Sequence, residues 1–137
     1  MVAMYATSKS ADSRPNLLWI WRDQPTRLGT GSQQRAAHIL DALADSFNIH
    51  VVIIYADALS GQPDAPLLAR FASITYLHMS DTLDERRASA GASPSSVYAT
   101  TQEAPELIAK LHAEKAIDAT LLFAFDTAVF VRLILDR

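Results

Sequence analysis

Cysteine is missing from this sequence of 137 residues, and glycine occurs only four times. Without thiols there can be no disulfide framework and no thiolate metal site. The four histidines, His38, His50, His78 and His112, lie far apart along the chain, so no ligand spacing suggests a structural metal. Long apolar runs are lacking too. No stretch approaches the ~20 residues needed to cross a bilayer, and the opening MVAMYATSKSADSR holds no apolar core of a signal peptide. A cytoplasmic protein is the expectation. Nor does charge of one sign dominate: 12 Lys and Arg face 15 Asp and Glu, for a net charge of −3. The basic residues are scattered, with no stripe that could follow a phosphate backbone, so nucleic acid is not an expected partner.

What is present is apolar material, 50% of the chain against 20% charged, a balance that builds one globular domain with a core. Residues 1–15 are small and polar and are expected to form a flexible tail, with order starting near Asn16. From there NLLWIW, residues 16–21, is a continuous apolar run of the kind found in strands covered on both faces. Arg22 to Gly31 carries Pro25, Gly29 and Gly31 amid polar residues and reads as a loop, long for a strand-to-helix connection. Ser32 is a candidate cap for a helix reaching Ser46, whose residues Ala36, Ile39, Leu40 and Leu43 share one stripe. A second strand follows at Ile49 to Tyr55, the densest β-branched segment of the chain.

Beyond it the pattern predicts a short helix at Leu67 to Phe71 and a strand at Ser73 to Leu77. Residues 79–100 lack periodicity and read as a loop. Thr101 opens a helix with the stripe Leu107, Ile108 and Leu111, and Asp118 to Phe125 forms a fourth strand. Asp126 caps a last helix carrying Val129, Phe130, Leu133 and Ile134. The alternation predicts an α/β fold, a doubly wound, mainly parallel, Rossmann-like sheet over residues 16–137 that is left incomplete at four strands.

In such a sheet ligands bind outside the carboxyl ends of the strands, which makes the loop from Arg22 to Gly31 the candidate site. Gly29 and Gly31 would let the backbone approach a ligand, and the N–H groups of Ser32, Gln33 and Gln34 would face an anionic or hydroxyl-rich group. Gln33, Gln34 and Arg35 add side-chain donors. An equally physical reading is that the two glycines only turn the chain and Ser32 only caps it. The segment contains no Lys and is therefore not a Walker A loop. A dinucleotide fingerprint fits Gly29-x-Gly31 and Asp57 better, but its third glycine position holds Gln34. Asp126 reads as a helix cap, and no histidine earns a catalytic role. Trp19 and Trp21 share one face of the first strand and are expected in the core rather than stacked on a sugar.

The strand, the Pro25 loop, the segment Gly-Thr-Gly-Ser-Gln-Gln-Arg at residues 29–35 and the helix with Leu40 and Leu43 together resemble the opening of GT-B glycosyltransferases of family 4. Residues 106–125, ELIAKLHAEKAIDATLLFAF, are similar in a more generic way to a later helix and strand of that family. The resemblance implies an acceptor-side domain whose glycine loop contacts an acceptor or the phosphates of a nucleotide-sugar. Gly29, Gly31 and Ser32 would then act as backbone donors, with Gln33 and Arg35 beside them. The family's donor site belongs to a second Rossmann-like domain, and its motifs are not among these residues. The resemblance therefore implies no sugar transfer by the chain alone, no cofactor, and no assignable catalytic residue. Two other readings stay open. One is a small flavodoxin-like binding module, the other an interaction module that self-associates through the helix at 126–137.

Overall fold

The structure, a computed structural model, describes residues 13–55, 58–78 and 103–123. Four parallel strands form its centre: β1 (Asn16–Trp21), β2 (Asn48–Tyr55), β3 (Ser73–His78) and β4 (Ala119–Leu122). Helix α1 (Gly31–Leu43) joins β1 to β2, the short α2 (Ala65–Leu68) precedes β3, and α3 (Glu103–Lys115) leads into β4. The sheet order is β3-β2-β1-β4. This is the order of the first strands of a dinucleotide-binding sheet, 3-2-1-4-5-6, whereas a flavodoxin-like sheet places its third strand beside the first. The α/β doubly wound, incomplete Rossmann-like architecture is thus what the chain adopts.

Strand alternation distributes the core over the two faces. Leu17, Trp19 and Trp21 point to one side together with Ile49, Val51 and Ile53, and they pack against Ala36, Ala37 and Leu40 of α1. Leu18, Ile20, Val52 and Ile54 point to the other side and meet Ala104, Ile108 and Leu111 of α3. Apolar residues on both faces of β1 and β2 need cover on both, and that requirement sends α1 and α3 to opposite sides. Trp19 and Trp21 are core residues, 0% and 2% exposed, and both contact Phe123, one ring stacked and the other edge-on.

Several boundaries differ from the sequence expectations. The chain is already tethered before Asn16: the Arg14 guanidinium donates to the Ala44 carbonyl, and the Asn48 backbone N–H donates to the Pro15 carbonyl. Helix α1 stops at Leu43 rather than near Ser46, and the Ser46 N–H donates only three residues back, to the Leu43 carbonyl, in a tightened last turn. Its buried face is also rotated. Gln33, Ala36, Ala37 and Leu40 are buried, at i, i+3, i+4 and i+7, so Ile39 falls to the flank and is 36% exposed. The short helix begins at Ala65, two residues before Leu67, because Asp64 caps it through the Leu67 N–H. Strand β4 is confined to Ala119–Leu122. Asp57, the loop at 79–100, Thr101, Asp126 and the helix expected at 126–137 lie outside the described residues. No described helix is long and apolar enough to cross a membrane.

Candidate functional site

The sheet order reverses between β1 and β4, since the chain leaves β1 over one face through α1 and arrives at β4 from α3 on the other. In doubly wound sheets ligands bind at such a point, outside the carboxyl ends of the strands where crossovers on opposite faces part. The connection from Arg22 to Thr30 lies at this edge and delivers the chain into the N-terminus of α1.

Internal hydrogen bonds build this loop. Leu28 N donates to Thr26 Oγ1 and Gly29 N to the Thr26 carbonyl, which closes a tight turn around Arg27 and Leu28. Thr26 is fully buried and its own N–H donates to the Gln33 carbonyl. The cap of α1 is Thr30, not Ser32: the Gln34 N–H donates to the Thr30 carbonyl at 2.9 Å, and the Thr30 N–H donates to Gln33 Oε1 at 2.8 Å. That reciprocal bond from the third helical residue to the cap is half of a capping box. Ser32 therefore sits inside the first turn, exposed, with its hydroxyl 3.4 Å from that of Thr30.

The five residues singled out in the sequence reach different places. Gln33 is 1% exposed, and its amide lies inside the protein: Oε1 accepts from Thr30 N, while Nε2 donates to Asp23 Oδ1 at 3.2 Å and to the Ser60 carbonyl at 2.9 Å. Its side chain holds loops together and does not face solvent. Gly29 is glycine for the same reason. A Cβ there would stand 2.1 Å from Gln33 Oε1 and 2.9 Å from Thr26 Cγ2, so the close approach it permits is to Gln33. Gly31 differs, with nothing within 4 Å of the position a Cβ would take. Gly31, Ser32 and Arg35 are exposed at the start of α1. The Gln34 N–H closes the first intrahelical bond and its amide Nε2 donates to the Gly29 carbonyl, so Gln34 also supports the loop.

The residue pair that the sequence did not reveal is Arg27 and Asp64. Asp64 is 4% exposed and accepts from Arg27 N at 3.1 Å, from Arg27 Nε at 2.8 Å and from Arg27 Nη2 at 2.9 Å. This fork-to-carboxylate contact holds the Asp64 carboxyl well below the usual carboxylate range, although burial pushes the other way. The Arg27 guanidinium is raised in turn, first by its hydrogen bonds to Asp64. Gln24, also buried, accepts from the Tyr76 hydroxyl at 3.2 Å.

Among the described residues, no three side chains of His, Cys, Asp or Glu gather to hold a metal ion. Chemically, the edge offers the N–H groups of the first turn of α1, the Ser32 hydroxyl and the Arg35 guanidinium, a set of donors suited to phosphate or hydroxyl oxygens. Fold and edge together define the class: a doubly wound Rossmann-like domain with a donor-rich loop at its switch point. No family model, curated protein or solved structure matches the chain.

Proposed function

We propose that this chain is the acceptor-side part of a glycosyltransferase that moves a sugar from a nucleotide-sugar to an acceptor, and that it does so only together with a donor-binding domain. The observation that carries the reading is the placement of the Gly29 to Arg35 segment at the switch-point edge, where Gly31, Ser32 and Arg35 are exposed. In this reading those three face the acceptor or the phosphates of the donor, and Gly29 and Gln33 fix the loop from within. A half cleft lacking the donor's other contacts binds weakly, because few groups converge on the ligand and little water is displaced. The crossovers that pass β1 to β2 and bring the chain back to β4 favour this over a flavodoxin-like module, whose third strand would neighbour β1.

The test uses the purified chain with radiolabelled UDP-glucose and GDP-mannose, and an antibody against residues 101–115 on the cells that make it. The reading expects no transfer by the chain itself and a native product well over twice 15.0 kDa. Transfer by the 137-residue chain, or a stable native product of 15.0 kDa, would count against it.

A further inference from the structure

Two loops at the carboxyl edge, residues 22–30 after β1 and residues 58–64 after β2, are joined by side chains at two places. The first is the Gln33 amide, which reaches from α1 to Asp23 on one side and to the Ser60 carbonyl on the other. The second is the Arg27–Asp64 fork, a charge-assisted bidentate contact with the carboxylate 4% exposed. Backbone shape is fitted to the first joint. Gly61 has φ of 81°, in the left-handed region, and a Cβ there would stand 3.3 Å from Gln33 Nε2, while Gly29 makes room on the Oε1 side. The Gln33 amide thus lies between two glycines, one from each loop. Every polar atom of that amide has a partner, and replacing it would leave Thr30 N and the Ser60 carbonyl short of one.

We infer that the loop after β2 is a second wall of the switch-point site, locked to the glycine loop by Gln33 and by Arg27–Asp64, so that these three are positioning residues for whatever binds at Gly31 to Arg35. This rests on the proposed site for its purpose, but the coupling itself is a property of the empty chain. Binding energy spent on ordering a loose loop is saved when the loop is already fixed. Breaking either joint therefore loosens both loops while leaving the sheet intact, since Gln33 and Asp64 touch neither face of β1 with their polar atoms.

Hydrogen exchange of the full chain, without ligand, reads this directly. Gln33→Leu puts an apolar side chain of similar bulk in place of the amide; Asp64→Asn keeps the shape and removes the charge. In each variant, exchange in residues 26–32 and 58–64 is expected to accelerate together, by about tenfold or more beyond whatever acceleration the overall loss of stability gives the β1 and β2 amides. Acceleration confined to one of the two loops would overturn the coupling. So would an equal acceleration in loops and strands, which would mark a general loss of stability. Should either variant fail to fold, Arg27→Lys serves, since it keeps the charge and loses the fork. A separate titration of the parent chain with UDP-glucose addresses the sugar-transfer reading, and failure there leaves the exchange result to decide the coupling alone.

Discussion

Asp64 accepts three hydrogen bonds from Arg27, one from its backbone N–H and two from its guanidinium, across a sequence separation of 37. The same carboxylate caps α2 through Leu67 N. One buried acidic side chain therefore fixes the glycine loop and starts the helix that leads to β3.

Asp64→Asn should lower stability by about 2–3 kcal/mol, since it removes a buried acceptor charge and breaks the charge-assisted fork to Arg27. Urea unfolding checks this through a lower midpoint at unchanged slope. Because the folded carboxyl titrates below its ordinary value of 3.8, its stabilisation is complete above that value and is lost as pH falls below it. The parent should weaken in strong acid more steeply than the variant.

The two glycines of the loop should separate cleanly. Gly29→Ala meets Gln33 Oε1 at 2.1 Å and should cost about 1–3 kcal/mol, whereas Gly31→Ala meets nothing within 4 Å. At the start of a helix the second change should leave stability unaltered or raise it by up to about 1 kcal/mol. Thermal denaturation of the two variants side by side gives the ranking.

His50 lies in β2 with its Nδ1 2.7 Å from the Ser73 hydroxyl, and burial followed by the Lys115 charge pushes its pKa below the ordinary 6.5. The neutral form is the one the fold accommodates. Stability should be constant above pH 6.5 and fall below it, as the unfolded chain takes up a proton the folded one refuses. His50→Gln should flatten that part of the profile, measured by unfolding midpoints from pH 7.5 down to about 5.

How much of this was legible in the sequence varies by element. Strands β1 and β2 were, because NLLWIW and NIHVVIIY are continuous β-rich runs that only a doubly covered strand accommodates. Helix α1 was legible as a helix, but its face was not: Gln33 is polar, and hydrophobic periodicity counts it as surface, although its amide finds three partners inside. Nothing in the pattern of Ile39 tells that Gln33 has displaced it from the buried stripe.

The candidate loop shows the same division. Its two glycines marked it, yet one serves a neighbouring amide and the other faces open space, and only the geometry separates those uses. Arg27 and Asp64 each look like ordinary loop charges in sequence. Their pairing depends on β1 and β2 being neighbours, which brings the loops that follow them to one edge. A clue was available in Asp64-Ala-Pro, an acidic residue followed by proline near a helix start, which is a common way to cap a short helix.

Backbone amide NMR of the isotope-labelled chain titrated with UDP-glucose tests the central claim, that the switch-point edge of this domain is one side of a glycosyl-transfer site. The account predicts shifts concentrated at Gly31 to Arg35, with weak affinity on the order of 1 mM, and their loss in Gly31→Leu without a change in the spectrum of the strands. No shift at those residues, or shifts gathered at the opposite, amino edge around His50 and Lys115, would contradict it.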